Sequence, residues 1–182
     1  MNTVGKEIWS FVRIILFAII FAYIINHFLL APYVVKGESM HPNLQEENKL
    51  VINKLSQFSH YKRFDIIVFN APDEDARYVK RIIGLPGDTI VMKNDILYIN
   101  GKAYDESYLQ SPSQKAGLSY TGDFTLEELT GYEKVPKGSL FVLGDNRAVS
   151  KDSRYFGLLS KNKIIGKAVF RIWPFTEVGQ VQ

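Results

Sequence analysis

The stretch Arg77-Tyr78-Val79-Lys80-Arg81-Ile82-Ile83-Gly84-Leu85-Pro86-Gly87-Asp88 decides the fold of this chain, because it places a lysine inside a strand that should bury apolar surface. At a period of two residues, Tyr78, Lys80 and Ile82 share one face of that strand. The glycine and the Pro-Gly-Asp turn that follow predict where the strand ends. If the face with Lys80 is the inner one, desolvation lowers the pKa of the amine, and a neutral lysine is a base.

Ser39 is the best candidate for the group that such a base deprotonates. It lies in Gly37-Glu38-Ser39-Met40-His41-Pro42, where the proline favours a turn that presents a side chain. Both residues also have a plainer interpretation. A lysine in a strand is usually an exposed charge, and a serine in a turn usually bonds only to the backbone. Neither residue alone therefore establishes catalysis.

The composition excludes several classes of protein. The 182 residues carry a net charge of +3 and contain no cysteine. This charge is too small, and the basic residues are too scattered, for a nucleic-acid surface. Disulfides and cysteine metal sites are excluded, and His27, His41 and His60 match no zinc spacing. We therefore expect no metal, no cofactor and no nucleic-acid partner.

An apolar run covers residues 11–30 and has the length that a helix needs to cross a bilayer, about 20 residues. A cleaved signal peptide would have a shorter apolar core before a small-x-small site, and no such site follows. A buried core helix is the other alternative. Lys6 and Arg13 precede or begin the run, so residues 1–10 are expected in the cytoplasm and residues 31–182 outside the cell membrane. The sequence thus predicts a single-pass membrane protein.

The rest of the chain has the pattern of a mainly β domain. Short apolar runs are separated by glycine, asparagine and proline turns, with almost no helical periodicity. The predicted strands cover residues 32–37, 49–53, 65–70, 77–83, 88–93, 96–99, 102–104, 139–143 and 163–173. Residues 89–140 include hairpins and a variable surface excursion, 105–136, which we expect to be partly mobile. Within the excursion, Thr125 and Glu128 have capping-box spacing for one helical turn.

A third stretch, Gly144-Asp145-Asn146-Arg147-Ala148-Val149-Ser150-Lys151-Asp152-Ser153-Arg154, reads as a polar loop after the strand 139–143. Together with the Ser39 turn and the Lys80 strand, behind an N-terminal apolar run, it resembles the bacterial type I signal peptidases of the short, single-span Gram-positive type. These are serine–lysine membrane proteases of family S26. The resemblance covers nearly the whole chain. It implies a transmembrane helix followed by an antiparallel β-sheet catalytic domain of the LexA/signal-peptidase type.

The resemblance also implies a role for each motif residue. Ser39 is the nucleophile and Lys80 is its general base, a pairing that needs neither histidine nor metal. Ser150 would hydrogen-bond the lysine. Two ion pairs would hold the loop against the lysine strand: Asp145 with Arg81, and Asp152 with Arg154.

The oxyanion hole is only partly specified. By the resemblance, the backbone N–H of Ser39 is one donor. The second donor is unassigned, because Gly37 stands where the longer Gram-negative members place a serine. Asn43 is a smaller departure, since many members have threonine at this position after the proline.

Substrate binding follows from the extended conformation of a peptide beside a strand, in which alternate side chains face the same wall. We expect an exported preprotein to bind along two segments close to the dyad. The residues concerned are Tyr33, Val34, Val35, Lys36, Gly37, Arg77, Tyr78 and Val79. Shallow pockets there would give the Ala-x-Ala preference for which the family is known. Attachment of enzyme and substrate to the same bilayer raises the local substrate concentration.

Three other interpretations remain open. A self-cleaving serine–lysine protease of the repressor type has a related fold, but a membrane span disfavours it. A membrane-anchored β domain that only binds exported peptides would not need the hydroxyl of Ser39. A catalytic pair of Ser39 and His41 has no obvious shared geometry, because the two residues lie two apart in a proline turn.

Overall fold

The computed structural model of the chain describes residues 3–24, 29–58, 61–109 and 120–181. Within these ranges the strands are β1 (Leu30–Val34), β2 (Lys49–Asn53), β3 (Ile66–Asn70), β4 (Arg77–Gly84), β5 (Ile90–Lys93), β6 (Ile96–Ile99), β7 (Lys102–Tyr104), β8 (Phe124–Thr125), β9 (Ser139–Leu143), β10 (Leu159–Ser160), β11 (Ile164–Trp173) and β12 (Gly179–Gln180). The α-helices are α1 (Thr3–Ile24), α2 (Leu126–Thr130) and α3 (Ser153–Phe156). Short 3-10 turns cover Lys54–Phe58, Lys161–Lys163 and Phe175–Glu177.

Two antiparallel sheets form the part of the chain after α1. The larger sheet has the strand order β1-β2-β11-β3-β4-β9-β10, with β12 beside β11, and the smaller sheet has the order β7-β6-β5-β8. The strand pairs that the structure describes are all antiparallel. The predicted mainly β, antiparallel fold class is therefore confirmed.

Strand β4 carries Lys80 and Arg81 through the interior of the larger sheet. It pairs with β3 on one side and with β9 on the other. Ile67 on β3 stands opposite Lys80, and directly opposite residues share a face of a sheet. Ile67 and Ile82 belong to one apolar cluster, so Lys80 faces apolar side chains. Lys80 is 3% exposed and Arg81 is 2% exposed, which excludes the plainer interpretation of Lys80 as an exposed charge.

Helix α1 exposes apolar side chains on all of its sides. Ile14, Ile15, Leu16 and Phe17 are all more than half exposed, and four consecutive residues complete a helical turn. Among the residues that the structure describes, no helix combines the length and the apolar character needed to cross a membrane.

The bounds of the predicted span, residues 11–30, also differ from the structure. Helix α1 already begins at Thr3, and residues 25–28 lie outside the described residues. Leu30 is the first residue of β1 and pairs with Asn53 of β2. The end of the apolar run forms a strand because its backbone finds hydrogen-bonding partners in the sheet.

Part of the predicted surface excursion belongs to the core, which corrects that prediction. Phe124 and Leu126 are buried in an apolar cluster with Ile90 and Phe141, and β8 pairs with β5. The capping box of Thr125 and Glu128 begins α2, as the spacing predicted. Residues 110–119 lie outside the described residues, so their expected mobility stays a prediction. The sequence did not reveal this burial because the apolar residues follow no regular period.

Candidate active site

Ser39 and Lys80 form the centre of the site. The distance from Lys80 Nζ to Ser39 Oγ is 2.6 Å, which is a hydrogen bond between residues 41 apart in sequence. Ser39 is half-buried in the connection from β1 to β2, and Lys80 lies on β4. His41, the alternative partner, is exposed. Across the described ranges, no group of histidine and acidic side chains is placed to hold a metal ion.

Burial controls the charge of Lys80. The pKa of the amine is lowered from 10.5 to about 8, chiefly because burial removes the amine from water. The charges of Asp152 and Asp145 oppose this shift, whereas that of Arg154 adds to it. The ring of Tyr78 lies 5.1 Å from Nζ, a cation–π contact that also favours the charged form. Because burial dominates, the neutral amine is well populated near pH 8.

The predicted ion pair between Arg81 and Asp145 is present and buried. Arg81 Nε and Nη2 donate to the two carboxylate oxygens over 2.8 and 2.7 Å, a bidentate arrangement. The side-chain amide of Asn43 donates to the same carboxylate over 2.8 Å and to the carbonyl of Tyr108 over 2.8 Å. The Arg81 pair therefore joins β4 to the loop after β9, and Asn43 joins the Ser39 turn to both. Sequence reasoning singled out Asn43 but assigned it no role.

Asp152 organises the loop formed by residues 144–154. Its buried carboxylate accepts hydrogen bonds from Nε and Nη2 of Arg154, each over 2.9 Å, so the second predicted ion pair is also present. The same carboxylate accepts from the backbone N–H of Gly144 over 3.0 Å and caps α3 through the N–H of Arg154. One carboxylate thus connects the first residue of the loop to the last.

Ser150 is buried, but the hydrogen bond to Lys80 that the resemblance implies is not formed. The Oγ atom of Ser150 has no hydrogen-bonding partner among the described residues. It packs instead against Gly144, where an added Cβ would lie 2.0 Å from Ser150 Oγ and 2.5 Å from the carbonyl oxygen of Ser39. This close approach requires glycine at position 144, and it determines where the hydroxyl lies.

Asn146 fastens the Ser39 turn to the loop 144–154. Its backbone N–H donates to the carbonyl of Ser39 over 3.0 Å, and its side-chain amide donates to the carbonyl of Glu38 over 3.2 Å. Sequence reasoning missed this role, because the only signal was the place of Asn146 in a polar loop. The conformation of Ser39 therefore depends on this loop as well as on its own turn.

A groove runs past the two central side chains. One part, of about 220 Å³, is lined by Ser39 and Lys80 together with Lys36, Glu38, Arg77, Tyr78, Val79, Val149 and Lys151. An adjoining part, of about 630 Å³, shares Lys36, Arg77 and Tyr78 and extends along Tyr33 and Val34. The hydroxyl of Tyr33 donates to the carbonyl of Arg77 over 3.0 Å, which joins β1 to β4 at this groove.

Two of the residues predicted to bind substrate do not line the groove. Val35 is 1% exposed and packs with Met40 and Leu44 in the core. Its side chain points inward because side chains alternate along an extended segment, and its neighbours Val34 and Lys36 face outward. Gly37 adopts a left-handed conformation, with φ of 73°, and its N–H donates to Glu46. The other six predicted residues all line the groove.

Comparison with known proteins finds relatives over most of the chain. A family model described as signal peptidase, peptidase S26, matches residues 8–173. Signal peptidase I of Bacillus caldolyticus is 55% identical over 152 residues, which cover 82% of this chain and 83% of that protein. Signal peptidase IB of Staphylococcus aureus is 42% identical over 178 residues, which cover 94% and 93% of the two chains. The crystal structure of a signal peptidase I from Enterococcus faecalis V583 aligns with a TM-score of 0.55 at 48% identity, covering 60% of this chain and 97% of that one.

Proposed function

The chain belongs to the peptidase S26 family of signal peptidases, and on that premise we propose that Ser39 and Lys80 are its catalytic pair. It is a serine peptidase, a hydrolase that cleaves signal peptides from preproteins. The observation that carries the assignment is the 2.6 Å contact between Ser39 Oγ and the amine of Lys80, which is almost fully buried. An acid–base group works best when its pKa lies near the working pH, and burial brings Lys80 into that range.

In the proposed reaction, the neutral amine of Lys80 takes the hydroxyl proton of Ser39 as Oγ attacks the carbonyl carbon of the scissile bond. The backbone N–H of Ser39 is one donor to the oxygen that becomes negative. The ammonium then gives its proton to the leaving amine, and the C–N bond breaks to leave a serine ester. A water molecule that loses its proton to the same amine hydrolyses the ester and restores the hydroxyl.

Four charged residues support this pair by position. Arg81 and Asp145 connect the lysine strand to the loop 144–154, and Asp152 and Arg154 close that loop. Because all four groups are paired, and all but the partly buried Arg154 are buried, they fix the loop in one arrangement rather than taking part in bond breaking.

The substrate is proposed to lie extended in the groove beside β1 and the start of β4. In an extended peptide, the residues one and three before the cut face the same wall. Tyr33, Lys36 and Tyr78 line the larger part of the groove, where we place that wall. A shallow, partly aromatic wall of this kind favours small side chains at both positions, which corresponds to a small-x-small preference.

Membrane attachment is also part of the proposal, and helix α1 is the first observation that supports it. An isolated helix that exposes apolar side chains on all sides is unfavourable in water. The apolar run in the sequence continues from residue 11 to residue 30, beyond the described end of α1. We propose that this run anchors the chain as a single pass with a cytoplasmic N-terminus, so that the catalytic domain lies outside the cell membrane.

An aromatic surface on the larger sheet supports the same placement. Val34, Lys49 and Trp173 stand opposite one another on β1, β2 and β11, so they share a face of the sheet. Trp173 packs edge-on against Phe175, with ring centroids 4.7 Å apart, and Phe175 is 78% exposed. Lys49 Nζ lies 5.7 Å from the Trp173 ring. Exposed aromatic side chains beside a lysine are typical of a membrane–water interface.

The catalytic pair is tested by Ser39→Ala and Lys80→Ala in the full chain, purified with phospholipid and given a secretory preprotein with an Ala-x-Ala site. Each variant is expected to lose at least about 10³-fold in kcat/KM, measured from the mature product by mass spectrometry, because nucleophile and base act as one unit. His41→Ala is the matched control, since His41 is exposed in the same turn, and it should stay within about twofold of wild type.

Substantial cleavage of the preprotein by Ser39→Ala or by Lys80→Ala would contradict the assignment. Self-cleavage without cleavage of the preprotein would favour the repressor-type alternative, and unchanged function of Ser39→Ala would favour a binding domain. Flotation of the same preparation with liposomes tests membrane attachment. Recovery of the protein away from the lipid fraction would contradict the anchor.

A further inference from the structure

A buried ion pair joins Arg147 of the loop 144–154 to Glu106 and has no part in the proposed reaction. The side chain of Arg147 is fully buried, and that of its partner Glu106 is 7% exposed. Glu106 belongs to the segment that the sequence predicted to be a surface excursion. A charge so deeply buried is stable only when its partner is present, because removal of one member leaves an unpaired charge in a medium of low polarity.

The guanidinium of Arg147 connects four groups. Its Nη2 donates to Oε1 of Glu106, and its Nη1 donates to Oε2 of Glu106 over 3.3 Å. Nη1 also contacts Oγ1 of Thr121 over 3.3 Å, and Nη2 contacts the hydroxyl of Tyr108 over 3.4 Å. On the opposite edge, Nε donates to the carbonyl of Gly144 over 3.0 Å. The planar guanidinium therefore transmits the position of Glu106 to the backbone of Gly144.

Gly144 is a residue at which the loop 144–154 contacts the Ser39 turn. Its N–H donates to Asp152, and its Cα packs against Ser150 and against the carbonyl of Ser39 so closely that a Cβ would not fit. A displacement of Gly144 would therefore move Ser39, and an error of about 1 Å at a reacting group costs about 10²-fold in rate.

Residues 106–108, which include Glu106, also contact the turn that contains Ser39. The carbonyl of Tyr108 accepts a hydrogen bond from Asn43, whose amide also donates to Asp145. The ring of Tyr108 lies 4.1 Å from the guanidinium of Arg81. Residues 106–108 thus contact the Ser39 turn, the lysine strand and the loop 144–154.

We propose that Glu106 is a positioning residue for proteolysis, which acts through Arg147 on the carbonyl of Gly144 and so sets the position of Ser39 relative to Lys80. The inference rests on the proposed catalytic role of Ser39 and Lys80. Glu106 itself contacts neither the substrate groove nor the reacting atoms, so its loss lowers kcat and leaves KM nearly unchanged.

The test is Glu106→Gln, which keeps the shape of the side chain and removes its charge. In the full chain with phospholipid, assayed well below its unfolding temperature, it is expected to lower kcat about tenfold while KM stays within about twofold. Asp88→Asn is the matched control, because Asp88 also forms a largely buried pair, with Arg63 over 2.9 Å, and neither residue belongs to the loop 144–154. It should lower the unfolding temperature comparably and leave kcat unchanged.

A double-mutant cycle separates positioning from general destabilisation. Arg147→Lys should also lose about tenfold in kcat, and the double variant with Glu106→Gln should lose about tenfold rather than a hundredfold, because both changes break one connection. Losses that multiply, or a folded Glu106→Gln with kcat within twofold of wild type, would overturn the proposal.

If Glu106→Gln does not fold, Glu106→Asp provides the same test. Aspartate keeps the negative charge but has a shorter side chain, so kcat should fall about threefold while KM stays unchanged. An unchanged kcat would overturn the proposal. The result for Ser39→Ala is independent of these outcomes. A fully active Ser39→Ala would refute the proposed chemistry, whereas an inactive Ser39→Ala with a fully active Glu106→Gln would refute only the role of Glu106.

Discussion

Lys80 and Lys151 line the same groove and have opposite physical properties. Lys80 is 3% exposed on an interior strand, and burial lowers its pKa to about 8. Lys151 is more than half exposed on the rim, where a hydrogen bond to Asp73 over 2.6 Å raises its pKa. The difference shows that a lysine near a serine becomes a base only when the fold removes it from water and gives it no carboxylate partner.

The pH dependence of cleavage should show the largest effect of this contrast. Because the neutral form of Lys80 is the active base, kcat/KM should rise about tenfold per pH unit well below pH 8 and level off above it, a change of about fiftyfold from pH 6 to pH 8. Initial rates in a constant-ionic-strength buffer series measure this profile. A flat profile from pH 6 to pH 8 would rule out Lys80 as the titrating base.

The same shift has a consequence for stability, with a definite sign. The folded-state pKa lies below the unfolded value of 10.5, so the unfolded chain binds more protons between about pH 8 and pH 10.5. In that window, the contribution of Lys80 to the free energy of unfolding therefore rises with pH. The fold carries an energetic cost at neutral pH in order to keep this amine buried.

Gly144→Ala tests the buried side of the comparison, because it should displace Ser39 relative to Lys80 without changing any charge. The added methyl group would meet Ser150 Oγ at 2.0 Å and the Ser39 carbonyl at 2.5 Å, so the loop must shift. A loss of about tenfold or more in kcat is expected. Gly179→Ala is the matched control, since a Cβ there meets nothing within 4 Å. Equal kcat for both variants would show that the packing at Gly144 is not needed.

Lys151→Gln should have the smallest effect. Exposed ion pairs such as Lys151 with Asp73 contribute little, so kcat/KM is expected to change by less than about threefold at neutral pH. The midpoint of the pH profile should also stay near pH 8, because Lys151 is not the base. A larger loss, or a displaced midpoint, would mean that the rim lysine takes part in the reaction.

Much of this site could be predicted from local sequence. The strand 77–83 was recognised by its period, and the ion pairs of Asp145 and Asp152 followed from the resemblance of two long motifs. The contacts that were missed all join distant segments: Asn43 with Asp145, Asn146 with Ser39, and Glu106 with Arg147. Polar residues in loops carry no periodicity, so their partners become visible only when the loops are packed together.

Two errors have a similar origin. Ser150 was expected to bond the lysine, but the close packing at Gly144 places its hydroxyl elsewhere. Val35 was expected in the groove, but the alternation of side chains turns it into the core. In both cases the residue was assigned to the correct region, and its direction was decided by packing.

The sequence alone determined the mainly β class, the position of the lysine strand and the identity of the groups that can react. These properties follow from periodicity and from residue chemistry, which act over a few neighbouring residues. The tertiary structure decided which lysine is neutral, which hydroxyl it meets and how the loop holds them. Those properties depend on burial and on contacts between distant segments, such as Lys80 and Ser39, 41 residues apart, and Asn43 and Asp145, 102 residues apart. No local pattern encodes them, because desolvation exists only once the chain has folded around the amine.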